Sequence, residues 1–92
     1  MEVKLFANLA ETADARSIEL EVEEETTVGT ALGRLFERRP GLESEVLVDE
    51  RVHDHISILI NGRTLDPDDA LEEPVGPEDE LAIFPPVSGG VA

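Results

Sequence analysis

Apolar and polar positions alternate with a period of two in four stretches of the chain, and each predicts a half-buried strand. Val3, Leu5, Ala7 and Leu9 interleave with Glu2, Lys4, Phe6 and Asn8. Ile18, Leu20 and Val22 interleave with Glu19, Glu21 and Glu23. The segment between them, Ala10 to Arg16, has the length of a hairpin loop. Ile56, Ile58 and Ile60 form a third alternating run, closed by Asn61-Gly62, a dipeptide suited to a tight turn. Arg63 to Leu65 then predicts a short edge strand, and Leu81 and Ile83 mark a last strand that ends at Pro85-Pro86. One stretch has a different period. Val28, Ala31, Leu32, Leu35 and Phe36 recur at helical spacing, with Thr26 or Thr27 to cap the start and Pro40-Gly41 to end it. Leu42 to Asp54 fits a loop or short turn tacked onto the core, and Pro67 to Pro77 is an acidic, turn-rich connection.

The order is therefore β-β-α-β-β-β. One amphipathic helix covering one face of a mixed sheet buries all of these stripes economically, which predicts an α+β fold of the β-grasp, or ubiquitin-like, architecture: four to five strands with one main helix on one face. The domain is expected over residues 1–86, with residues 87–92 as a flexible tail. Alternation also places three apolar side chains on the face without the helix. If Val3, Leu5, Ala7, Leu9, Ile56, Ile58, Ile60, Leu81 and Ile83 face inward, Phe6, Leu59 and Phe84 face outward. The first, third and last strands lie side by side in this architecture, so the three form one patch leading into the tail. Nothing in so small a domain covers that patch, which points to docking; the alternative is that these side chains fold over the sheet edge and extend the core.

Composition narrows the function. Ninety-two residues fit one domain, and no run approaches the length of a membrane span. Met1-Glu2-Val3-Lys4 lacks the order of a secretory signal, which leaves the cytoplasm as the expected location. The absence of cysteine removes disulfides, thiolate metal sites and thiol nucleophiles together. Twenty-two acidic against seven basic residues give a formal charge of −15, which disfavours nucleic acid and anionic membranes as partners. Lys4 is the only lysine; with so little lysine, such acidity points to a high-salt cytoplasm that screens the self-repulsion, with a solubilising surface or a basic partner as the alternatives.

No catalytic or metal constellation emerges. His53-Asp54-His55 supplies too few ligands and reads as a polar strand entry. The acidic runs Glu23-Glu24-Glu25 and Asp66 to Glu73 lack a calcium-loop pattern. Ser57 and Ser88 have no partner arrangement for a triad, and Gly29 and Gly33 lie inside the helix without the surroundings of a phosphate loop.

The end of the chain is the most specific feature. Phe84-Pro85-Pro86-Val87-Ser88-Gly89-Gly90 follows a hydrophobic strand; its prolines keep it extended, and its two glycines let a narrow channel close on the backbone. With Met1-Glu2-Val3-Lys4-Leu5-Phe6-Ala7, the helix and Ile58-Leu59-Ile60-Asn61-Gly62, it resembles the MoaD/ThiS sulfur carriers, and more narrowly the small archaeal ubiquitin-like modifiers of haloarchaeal type. The resemblance spans nearly the whole chain. It implies a carrier or modifier without catalysis of its own, holding no cofactor. A ubiquitin-activating-type (MoeB/ThiF-like) adenylating enzyme would use MgATP to form an acyl-adenylate at Gly90, gripping Phe6, Leu59, Phe84 and the tail residues Pro85, Pro86, Val87, Ser88 and Gly89. Sulfur would then yield a thiocarboxylate for molybdopterin or tRNA thiolation, with the large subunit of molybdopterin synthase as a partner. Alternatively a target-protein lysine would attack and form an isopeptide bond; Lys4 would be the acceptor if chains form through side chains. Val91-Ala92 depart from the family pattern, because they hold the Gly90 carboxylate in a peptide bond. The expectation is a precursor cut between Gly90 and Val91 by a JAMM-type metalloprotease. The competing reading is a non-covalent β-grasp binding module with an inert tail.

Overall fold

The structure, a computed structural model, describes residues 1–85. Its elements, in chain order, are β1 (Glu2–Leu5), α1 (Asn8–Ala13), β2 (Ser17–Glu19), β3 (Thr26–Thr27), α2 (Val28–Arg38), a 3₁₀ turn at Pro40–Leu42, α3 (Glu43–Val46), β4 (Leu47–Val48), β5 (Arg51–Val52), β6 (Ser57–Ile60), β7 (Arg63–Thr64), a second 3₁₀ turn at Ala70–Glu72, β8 (Pro74–Val75) and β9 (Glu80–Phe84). The main sheet has five strands in the order β2-β1-β9-β6-β7. β9 lies at its centre, parallel to β1 and antiparallel to β6. The ends of the described chain thus meet as neighbouring strands, with Val3 beside Leu81 and Leu5 beside Ile83.

α2 forms where the helical spacing predicted it. Thr27 Oγ1 accepts the N–H of Thr30 at 3.3 Å, satisfying one of the donors that a helix start leaves unpaired. The α2 residues Val28, Ala31, Leu32, Leu35 and Phe36 are buried in one cluster with Val3, Leu5, Ile58, Ile60, Leu81 and Ile83. Each of the Val, Leu, Ile and Phe side chains contributes about 1.5–3 kcal/mol by leaving water, so this layer of helix on sheet dominates stability. Gly29 has a packing role: a Cβ there would meet Leu71 O at 3.1 Å, so the first turn of α2 can lie against the 3₁₀ turn at Ala70–Glu72.

Four stretches differ from the sequence expectation. β1 stops at Leu5, and the predicted continuation through Ala7 and Leu9 is instead α1, so the β1–β2 connection is helical rather than a simple hairpin loop. Ala7 turns the chain with φ 54°, and Leu9 and Ala13, four residues apart, become the buried side of α1. Tertiary bonds hold this short helix: Asn8 Nδ2 and Thr12 Oγ1 both donate to the Glu45 carboxylate on α3, and Arg39 Nε donates to Ala13 O at 2.7 Å. Leu42 to Asp54 contains α3 and the β4–β5 hairpin, which turns through Asp49 and Glu50 at φ 53° and 65°. The acidic connection hides β8, which pairs Val75 with Thr26. β2 is also shorter than its alternation: Leu20 is buried beyond the strand's end and Val22 is half-buried.

Candidate docking face and the carboxyl-terminal strand

Among the described residues, the main sheet carries α2 on one side and leaves the other open. Along β9 the odd positions Leu81 and Ile83 are fully buried, so Glu80, Ala82 and Phe84 point to the open side. Register carries that face across the sheet: Lys4 pairs with Ala82, Ala82 with Leu59, and Leu59 with Thr64. Ser57 stands beside Phe84 in the same way and is exposed.

Phe6 and Phe84 meet at the end of this face where the described chain finishes. Their rings stack with centroids 4.1 Å apart and planes 8° from parallel. Phe6 is 37 % exposed, and Phe84, Leu59 and Pro85 are half-buried. A stacked aromatic pair on a sheet face that no helix of the described residues covers is an exposed apolar anchor. The expected partner-interface residues Phe6, Leu59 and Phe84 therefore lie on one side of the sheet, and Pro85 follows directly after the end of β9. The other expected residues, Pro86, Val87, Ser88, Gly89 and Gly90, and the expected processing position at Gly90-Val91, lie outside the described residues.

Charged groups frame the patch. Lys4 Nζ lies 3.1 Å from Glu80 Oε2, both side chains being well exposed. The hydrogen bond and charge of Glu80, with the charge of Glu2 added, raise the Lys4 ammonium above its usual pKa. Beside Phe6, a groove of about 850 Å³ runs between α1 and the β1–β2 ladder, lined among others by Lys4, Phe6, Ala10, Glu11, Ala15 and Arg16. Sequence reasoning missed this groove, because it read Asn8 and Leu9 as strand and Ala10 to Arg16 as loop; the available signal was the four-residue spacing of Leu9 and Ala13. At the turn below β6, Asn61 and Gly62 adopt φ 51° and 86°, the left-handed pair that such a turn requires. Asn61 Nδ2 donates to Asp79 Oδ1 at 2.9 Å and Gly76 N to Asp79 Oδ2 at 2.8 Å, and these bonds lower the Asp79 pKa. The turn is thereby tied to the start of β9, whose Glu80 N–H donates to Asn61 Oδ1.

His53 Nδ1 accepts the backbone N–H of His55, and the two rings sit 5.4 Å apart. No group of three or more potential metal-ligating side chains occurs among the described residues. No helix among them is long and apolar enough to cross a membrane.

A central parallel pair formed by the two ends of the domain, one main helix and an open face define a β-grasp, ubiquitin-like protein. Its family follows from the sequence. The ThiS family profile matches residues 3–90. The chain is 48 % identical to small archaeal modifier protein 1 of Haloferax volcanii over 91 residues, covering 98 % of this chain and all of that protein. A crystal structure of small archaeal modifier protein 1 from Haloferax volcanii superposes with a TM-score of 0.86 at 47 % identity, covering 98 % of both chains. The solution structure of small archaeal modifier protein 1 from Methanosarcina acetivorans gives 0.79 at 33 % identity, over 97 % of this chain and 94 % of that one. The chain belongs to the ThiS family of β-grasp proteins.

Proposed function

We propose that this protein is a small ubiquitin-like modifier and sulfur carrier of the cytoplasm, acting through the carboxylate of Gly90 once Val91-Ala92 are removed. The observation that carries this reading is the Phe6–Phe84 stack, which sits on the open face at the end of the central strand, immediately before the Pro-Pro-Val-Ser-Gly-Gly segment. The similarity to small archaeal modifier protein 1 supports it.

A free carboxylate is a poor electrophile. An adenylating enzyme of the MoeB/ThiF type, seated on Phe6, Leu59 and Phe84, would join Gly90 to AMP from MgATP and so supply a leaving group. Displacement by sulfur gives a thiocarboxylate, usable for molybdopterin synthesis with the large synthase subunit or for tRNA thiolation. Displacement by a target lysine gives an isopeptide bond. This chain's part is to position and present: the rigid sheet holds the aromatic anchor, and the glycines admit the backbone to a narrow site. In both displacements the nucleophile comes from the partner, and this chain supplies the activated carbonyl. A JAMM-type metalloprotease would expose Gly90 and reverse conjugation.

Mass spectrometry of the protein from its native cells tests the reading. The expected forms end at Gly90, as a carboxylate, a thiocarboxylate or a lysine-linked remnant. Finding only chains that retain Val91-Ala92 overturns it. Loss of molybdoenzyme activity or tRNA thiolation on gene deletion identifies the sulfur branch; lysine remnants identify the conjugation branch.

A further inference from the structure

We propose that the free edge of the main sheet, along β2, is a strand-addition site for an extended partner segment in which basic and apolar residues alternate. The site goes beyond the function given above, because it makes no use of Gly90. A partner docked there reads the domain itself, whether or not the tail is engaged.

Hydrogen bonding defines the edge. β2 is an outer strand of the main sheet, and its register against β1 sets Glu2 opposite Glu19 and Lys4 opposite Ser17. Leu5 N–H donates to Arg16 O at 2.9 Å, and Leu20 N–H to Met1 O at 2.8 Å. Bonded and non-bonded pairs alternate in an antiparallel ladder, so Arg16, Ile18 and Leu20 turn their backbone groups toward β1. Ser17 and Glu19 turn theirs away, and among the described residues their N–H groups meet no acceptor. The other outer strand, β7, is only two residues long.

Two carbonyls on this edge are already capped, and the caps show what the edge accepts. Arg38 Nη1 donates to Glu19 O at 2.6 Å. Arg34, one turn earlier on α2, donates from Nη1 to Glu21 O at 3.3 Å. The two guanidinium groups occupy the places that N–H groups of an added strand would take. Both bonds are exposed to solvent, so an incoming backbone can displace them. Between the edge and α2 runs a groove of about 480 Å³, lined by Leu20, Glu37 and the two arginines among others.

Charge and alternation choose the occupant. Side chains of an added strand alternate between the two sides of the sheet. On the open side they stand beside Glu19 and Glu2, where Ser17 Oγ already donates to Glu2 Oε2 at 3.0 Å; basic residues fit there. On the other side they enter the groove, over Leu20 and the apolar stems of Arg34 and Arg38; apolar residues fit there. A second copy would set Glu19 and Glu21 against acidic neighbours, in a chain that carries a formal charge of −15. Main-chain bonds then supply affinity, and the alternate side chains supply selectivity.

Amide NMR of the full chain in molar salt, titrated with a seven-residue peptide alternating lysine with valine, tests the site. The Ser17 and Glu19 N–H signals should move downfield and exchange more slowly with solvent, while those of Arg63 and Thr64 on the other edge stay unchanged. Arg38→Met keeps the apolar stem but withdraws the competing donor, and should tighten binding about threefold to tenfold, the scale of one exposed hydrogen bond. The same peptide with every backbone nitrogen methylated loses its ladder donors without any change to the protein, and should not protect the edge. Unchanged Ser17 and Glu19 signals, equal protection by the methylated peptide, or equal binding of a peptide with glutamate for lysine overturns the proposal. Shifts spread over the acidic surface without protection at β2 reveal ion attraction alone and overturn it as well. Protection of the same amides by raised protein concentration without peptide would make a second copy the occupant, against the basic segment proposed.

Discussion

Replacing Phe6 and Phe84 by alanine, singly and together, separates a surface anchor from an extension of the core. A fully buried phenylalanine contributes about 1.5–3 kcal/mol by leaving water. Phe6 keeps 37 % of its surface exposed, so Phe6→Ala should cost roughly two-thirds of that, about 1–2 kcal/mol. The rings are nearly parallel with centroids 4.1 Å apart. For planes at a contact spacing of about 3.5 Å this corresponds to a lateral offset of about 2 Å, the offset stack that aromatic quadrupoles tolerate. A coupling energy of about 0.5–1 kcal/mol is expected from the double-mutant cycle. Phe36, buried on α2, is the reference: Phe36→Ala should cost about 3–5 kcal/mol. Urea unfolding in molar salt, which screens the acidic surface, measures the parent and the four variants. A Phe6→Ala cost equal to that of Phe36→Ala would place Phe6 in the core, and zero coupling would deny the stack.

Three further outcomes follow from particular contacts. Glu80→Gln removes the carboxylate that most strongly holds the Lys4 proton, so Lys4 should react faster with an amine reagent at pH 8–9; an unchanged rate would contradict the ion pair. Asn61→Gly keeps the left-handed turn but deletes the donor to Asp79, so carboxyl NMR should show the Asp79 midpoint moving up toward its ordinary value. Because the folded pKa is lowered, Asp79 stabilises the fold above the unfolded carboxyl pKa and loses that contribution as pH falls through its folded value; Asn61→Gly should shrink this acid-side loss. Thr27→Ala removes the cap of α2 and should lower stability by about 1 kcal/mol in the same urea assay.

Where side-chain pattern and burial coincide, the fold was legible in the residues. The five apolar positions of α2 recur with the helical period and all are buried, and Asn61-Gly62 adopts the turn that its residue types favour. Alternation in β1, β6 and β9 was enough to put Phe6, Leu59 and Phe84 on the open side, because a strand's period leaves no third choice. The rest depends on contacts between distant residues. Val3 to Leu9 fits a period of two throughout, yet Leu9 is also four residues from Ala13. The Asn8, Thr12 and Arg39 side-chain bonds favour the helix there, and no local propensity encodes them. The β4–β5 turn uses Asp49 and Glu50 at positive φ, without the glycine that would have announced it. β8 is two residues within a proline- and acid-rich stretch, visible only through its pairing with β3. In the candidate site, the stack of Phe6 on Phe84 follows from the parallel β1–β9 pairing, which brings residues 78 positions apart in sequence into contact.

Adenylation by a purified MoeB/ThiF-type enzyme with MgATP tests the central claim most directly, with the full-length chain and a chain ending at Gly90 compared side by side. ATP–pyrophosphate exchange is expected with the truncated chain and not with the full-length one, because only the former offers a free Gly90 carboxylate. Exchange by neither form would contradict the carrier reading, and equal exchange by both would contradict the requirement for removing Val91-Ala92.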